Sequence, residues 1–135
     1  MAFEYHMMIR EQHLDTFGHV NNATYLILFE EARWEITTQA GYGIEKVREI
    51  GQGPIILEIQ LKFIRELKLR SRIIIKSQAE PFAGKISILK QWILDEAGNI
   101  CCEAEFKMGF FDLRSRKLIL PTHAWLHAVG LVASP

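Results

Sequence analysis

Cysteine is scarce in this chain: two residues among 135, side by side at Cys101 and Cys102. That scarcity excludes a disulfide-stapled fold, and strand neighbours point to opposite faces, so the two are not expected to bridge. A reducing cytoplasm is the expected setting. Charge of one sign is equally lacking, because sixteen basic residues balance sixteen acidic ones. No broad positive field therefore exists to draw nucleic acid or an anionic membrane surface. The opening Met1-Ala2-Phe3-Glu4 has no basic-then-apolar signal segment. The longest uncharged run, Leu118 to Pro135, holds two prolines and two histidines and is too broken to span a membrane. There is no Gly-x-Ser-x-Gly elbow, no His-Glu-x-x-His and no Cys-x-x-Cys, which removes the usual serine-hydrolase and zinc signatures. No linker, repeat or low-complexity tract divides the chain, so residues 1–135 are expected to form a single domain.

Hydrophobic periodicity is plentiful. Phe3, Tyr5, Met7 and Ile9 alternate with Glu4, His6, Met8 and Arg10, which predicts a first strand. From Asn22 to Ala40 the apolar spacing is helical around most of the circumference, and Gly41 is placed to end the helix in the left-handed conformation. Such a helix is about 28 Å long at 1.5 Å per residue, enough to cross a small sheet. One or two helical turns are expected over 44–50 before Gly51-Gln52-Gly53-Pro54 breaks the chain. Four strands follow, over 55–63, 72–79, 86–94 and 100–110, the last two joined by the turn Asp95 to Asn99. In the last strand Ile100, Cys102, Ala104, Phe106, Met108 and Phe110 are expected to share one face. A short closing helix is expected over 121–129. One strand, a long helix and a four-stranded meander make an α+β fold, a five-stranded antiparallel sheet with the helix on one face. Its edge strands invite pairing with a second copy.

The chemistry concentrates in Asp15-Thr16-Phe17-Gly18-His19-Val20-Asn21-Asn22, directly before the helix. Asp, Gly and Asn favour turns and caps over element interiors. The segment therefore sets a carboxylate beside the free N–H groups of a helix start, as thioester chemistry requires: a base or nucleophile near a donor for the developing oxyanion. Taken alone, Asp15 could equally be a capping residue, and Asn21 and Asn22 are strong cap candidates. Gly18 supplies a backbone conformation or a close approach. His19 orients the loop or donates to the carbonyl. Tyr25 lines a pocket or fills the core. Glu30, Glu31, Arg33 and Glu35 read as a solvated or ion-paired helix flank.

His13-Leu14-Asp15, His19-Val20-Asn21-Asn22, Tyr25-Leu26 and Glu30-Glu31-Ala32-Arg33-Trp34 carry a resemblance. The chain is similar to hotdog-fold acyl-CoA thioesterases of the 4-hydroxybenzoyl-CoA thioesterase-like family, most closely the bacterial long-chain enzymes. The resemblance extends over nearly the whole chain and agrees with the strand order. It implies a homodimer or homotetramer that hydrolyses acyl-CoA without a metal or organic cofactor. It also implies that Asp15 is the catalytic carboxylate, either as nucleophile through a mixed anhydride or as general base for water. The Asn22 backbone N–H would polarise the carbonyl, aided by about half a unit of positive charge from the helix dipole. Removing such a donor elsewhere has cost about 2.7 to 4 kcal/mol.

Coenzyme A calls for positive charge at the pocket mouth. Lys62, Arg65, Lys68, Arg70, Arg72 and Lys85 are the candidates, with Lys85 where the family often places a basic residue; Lys62, Arg72 and Lys85 enter the expected substrate-binding set with Gly18, Asn21 and Tyr25. Where the family frequently carries Gly-Asp, this chain has Arg70-Ser71. Phe17, Phe29 and Phe63 could line an acyl tunnel suited to medium or long chains. Two other functions fit the same fold: a non-catalytic acyl-CoA-binding or assembly domain, and an acyl-carrier-protein thioesterase.

Overall fold

The computed structural model describes residues 2–133. Strand β1 (Phe3–Met8) and a single 3-10 turn (Glu11–His13) lead into helix α1 (Asn22–Gln39), helix α2 (Ile44–Ile50) and strand β2 (Gln52–Phe63). Strands β3 (Arg72–Ala79), β4 (Ile86–Leu94), β5 (Ile100–Asp112) and β6 (Lys117–Ile119) follow, and helix α3 (His123–Ala128) closes the chain. The sheet is antiparallel in the order β1-β3-β4-β5-β2, with β6 paired to β5. The five expected strands are all present, and β6 and the 3-10 turn are additional.

The helix lies on the sheet because both present apolar faces with matching periods. From α1 the residues Tyr25, Leu28, Phe29 and Ala32 are buried, against Ile73 and Ile75 of β3, Leu89 and Ile93 of β4, and Phe106 of β5. Only one side of α1 is covered. Ile27, on the other side, is 60% exposed although the helix is apolar around most of its circumference. A second cluster of Tyr42, Phe110, Trp125, Ala128 and Val129 closes the far end of the sheet under α3.

Three expectations need correction. The segment Gln52-Gly53-Pro54 does not break the chain but begins β2, pairing with Asp112, Phe111 and Phe110. Proline is tolerated there because β2 is an edge strand, whose outward N–H has no ladder partner to lose. Ile100 does not share the buried face of β5, being 36% exposed, while Cys101 and Cys102 are both buried. The register shifts between Ile93 and Leu94, so that Cys102 pairs with Ile93 and Ile100 with Leu94. This bulge leaves Cys101 as the extra residue and resets the alternation. Burial pushes the Cys102 thiol up to about 12. Finally, Arg33 is not a solvated flank residue. It packs inward, its guanidinium 4.5 Å over the Phe106 ring and donating to Gln91 Oε1 at 3.0 Å.

Candidate active site

The loop between β1 and α1 is a closed turn built around one carboxylate. Leu14 and Val20 form an antiparallel bridge, and the Asp15 N–H donates to the His19 carbonyl at 2.8 Å. Inside that bridge Asp15 Oδ1 accepts from the Phe17 N–H at 2.9 Å and the His19 N–H at 3.0 Å. Gly18 completes the turn at φ +77, donating its N–H to the Asp15 carbonyl at 3.1 Å. Nothing lies within 4 Å of where a Gly18 side chain would begin, so backbone conformation rather than space selects glycine. Oδ1 is thus consumed by the loop, whereas no described residue donates to Oδ2.

The helix start is capped by a different residue. Asn21, in extended conformation, is the N-cap, and its Oδ1 accepts from the Ala23 N–H at 2.9 Å. Val20 before it and Tyr25 after it join one core cluster, a hydrophobic staple that fixes the angle at which the loop enters the helix. The Asn22 N–H has no acceptor among the described residues, as expected for the first residue of a helix. The arrangement therefore offers one free carboxylate oxygen, an unused helix-start donor, and a loop held by main-chain bonds. A thioester carbonyl needs those two groups for attack and for oxyanion stabilisation.

Other expected site residues fall in different places. The His19 ring points outward, 66% exposed and 3.7 Å from Glu66 Oε1, so its backbone rather than its ring organises the loop. Tyr25 is buried and meets the Phe63 ring edge-on at 5.0 Å, with burial raising its hydroxyl pKa. Phe17 is 83% exposed, Phe29 is fully in the core, and Phe63 stands on the β2 edge. Lys62 follows the opposite phase from Leu61 and Phe63 and projects from the helix-free face of the sheet. Arg72 takes that same outer face, beside a groove with His6, Arg10, Asp95 and Glu96. Lys85 sits in the turn before β4, at the opposite end of the sheet from the Asp15 loop. Within the chain these three cations are not brought together with Asp15. Arg70 adopts φ +63 where the family often carries glycine, held by the Ile9 carbonyl and by both Glu11 carboxylate oxygens, which it pairs with at 2.7 and 2.9 Å.

The residues missed by periodicity are Arg33 and Gln91. Gln91 is buried, and its Nε2 donates to Ser77 Oγ at 2.9 Å and to the Phe29 carbonyl at 3.2 Å. The signal was a glutamine in the inward phase of β4, with Ser87, Leu89 and Ile93.

Residues 9–128 match the family model described as the thioesterase-like superfamily. The chain belongs to that superfamily and is a thioester hydrolase with the hotdog fold. This thioesterase is 31% identical over 113 residues to the long-chain acyl-CoA thioesterase FadM of Escherichia coli strain K12, covering 82% of this chain and 84% of that one. It is 31% identical over 121 residues to the chloroplastic acyl-acyl carrier protein thioesterase ATL2 of Arabidopsis thaliana, covering 89% of this chain and 64% of the relative. Among solved structures it superposes on the probable thioesterase YbaW of Escherichia coli with a TM-score of 0.81 at 26% identity, covering 97% and 98% of the two chains. The fold also matches SAV2348 of Staphylococcus aureus, solved in complex with CoA, with a TM-score of 0.86 at 16% identity, covering 96% of this chain and 82% of that chain.

Proposed function

We propose that this thioesterase hydrolyses medium- to long-chain fatty acyl-CoA in the cytoplasm, releasing free acid and CoA. Asp15 supplies the reacting carboxylate and the Asn22 N–H the oxyanion donor. The observation that carries this reading is the division of labour at Asp15: Oδ1 held by two loop amides, Oδ2 free. Oδ2 attacks the carbonyl carbon to form a mixed anhydride, or removes a proton from the attacking water; in both routes the thiolate of CoA leaves. After a single turnover in heavy-oxygen water, label in the Asp15 carboxylate identifies the anhydride route with water attacking the Asp15 carbon, whereas the general-base route puts label into the released acid alone. Similarity to FadM supports a CoA thioester and a long chain. Similarity to ATL2 favours a carrier-protein thioester instead and is the second reading.

The working unit in this proposal is a homodimer joined through β2. That strand pairs only with β5 and leaves Ile59 45% and Phe63 52% exposed along its free side. A two-fold pairing of β2 edges runs the strands antiparallel, so the far end of one sheet adjoins the Asp15 end of the other. Lys85 then reaches a catalytic loop only from the partner. Gly18, Asn21 and Tyr25 shape the near side.

The test is a panel of acyl-CoA and acyl-carrier-protein thioesters, with released thiol measured for the wild type and Asp15→Asn. The amide oxygen of asparagine can still accept from Phe17 and His19, so the loop survives the change. A loss of roughly 100-fold or more with folding intact supports the role. Equal rates in both proteins remove Asp15 from the chemistry, and CoA binding without hydrolysis across the panel favours a binding domain.

A further inference from the structure

A cavity of about 110 Å³ lies between α1 and the sheet, lined by Phe3, Arg33, Trp34, Pro54, Leu89 and Trp125 among others. Its walls are mostly apolar, yet one of them carries donors without acceptors. The Arg33 guanidinium has five N–H groups and spends one on Gln91. No carboxylate lies within ion-pair distance of Arg33 among the described residues; Glu30 reaches the same cavity but is exposed and forms no pair with it. The indole N–H of Trp125 also has no acceptor among the described residues, but it is fully buried and does not open onto the cavity. Gln91 and the Phe106 ring hold the guanidinium in place, so these donors are fixed before any ligand arrives. Donors held unpaired against an apolar space select for an acceptor, and a planar guanidinium best matches a carboxylate.

Position says which part of a ligand would arrive there. Pro54 and Ile56 line the cavity from the start of β2, whereas the Asp15 loop packs near Phe63 and Glu66 at its end. Arg33 is eleven residues beyond Asn22, about 16 Å along the helix at 1.5 Å per residue. Three extended single bonds span about 3.5 Å, so an acyl chain of roughly a dozen carbons covers that distance. The volume is below the ~150 Å³ of a cavity that takes one benzene, so it admits the end of a chain rather than a whole acyl group.

Building on the acyl-thioester reading, we infer that this cavity receives the distal end of the acyl group. It selects chains that end in a carboxylate over chains that end in a methyl group. A methyl terminus leaves the free Arg33 donors unpaired, whereas a terminal carboxylate accepts from them.

The experiment compares dodecanoyl-CoA with the mono-CoA thioester of dodecanedioic acid, matched in length. The readout is the ratio of their kcat/KM values in the wild type, Arg33→Met and Trp125→Phe. The expected wild-type ratio is roughly tenfold or more in favour of the carboxyl-ended substrate, falling to one or below in Arg33→Met and holding in Trp125→Phe, whose N–H does not reach the cavity. A wild-type ratio of one or less, or a ratio unchanged in Arg33→Met, overturns the assignment. Should Arg33→Met fail to fold, calorimetric binding of the two thioesters to Asp15→Asn decides. Tighter binding of the carboxyl-ended thioester upholds the cavity assignment, and equal binding overturns it. Preferential binding with no hydrolysis by the wild type would sink the hydrolytic reading alone; hydrolysis without preference would sink the cavity assignment alone.

Discussion

Arg33 reaches across from the helix to Gln91 on β4, and Gln91 in turn joins Ser77 of β3 to the Phe29 carbonyl of α1. One buried amide therefore ties three elements together and, among the described residues, is the one hydrogen-bond acceptor of an inward-facing cation. Burial pushes the Arg33 guanidinium down to about 10, with Glu30 opposing the shift. Gln91→Met keeps the volume but strands Arg33 Nη1 and Ser77. We expect a loss of about 2 to 3 kcal/mol, the scale for leaving a buried charged group unpaired. Urea unfolding should show a lower midpoint at unchanged slope. An unchanged midpoint would mean that Arg33 finds another partner.

Gly18→Ala asks whether the turn or the carboxylate matters more. The φ of +77 costs an alanine about 1 kcal/mol, with nothing nearby for the methyl group to clash with. The melting temperature should fall by a few degrees. Hydrolysis should fall further than that loss implies, because Gly18 sits in the turn that aims Asp15. A variant with a lower melting temperature and full activity would show that the loop tolerates a shifted carboxylate.

The Tyr5 hydroxyl donates to Glu31 on α1, and this bond, followed by burial and the nearby negative charge, pushes its pKa up from 10 to about 12. The raised value belongs to the folded state, so the contribution to stability is complete below pH 10. It is lost as the pH rises through 12, where the folded protein also gives up the proton. The free energy of urea unfolding should therefore decline across that alkaline window, and Tyr5→Phe should decline less steeply. Parallel curves for the two proteins would show that the bond does not persist in solution.

The β2 edge gives a direct test of assembly. Ile59→Lys puts a charge in the middle of the exposed apolar strand, where it hardly alters the monomer but opposes burial against a second copy. Light scattering should report a dimer for the wild type and a monomer for the variant. A dimer in both would place the interface elsewhere.

Much of this architecture is readable from the chain because β3 and β4 are apolar runs bounded by breaks, and their expected spans coincide with those observed; the apolar run of β3 suggests burial on both faces, whereas burial in fact alternates along it. The Asp15 turn was equally legible, since Asp, Gly and Asn have few other uses directly before a helix. Three features were hidden for physical reasons. β6 has only three residues, too few to show a period. The bulge at Cys101 changes the phase of β5 through pairing with β4, which is a property of two strands rather than one. Arg33 reads as surface because charged residues are assumed to seek water, and Gln91, fifty-eight positions away, together with the Phe106 ring makes its burial tolerable. Lys62 and Arg72 were sought near the substrate by charge alone, and alternation sent both to the other face.

β2 has one partner in the sheet, and that partner, β5, ends at Asp112, about fifty residues after β2 ends at Phe63. On a ribosome adding roughly 5 to 20 residues per second, β2 leaves the exit tunnel about 2.5 to 10 seconds before the end of β5 can cover it. During that interval neither of its edges is paired, and an apolar strand waits in water beside other nascent chains. Anything that slows translation across β3 and β4 lengthens this exposure.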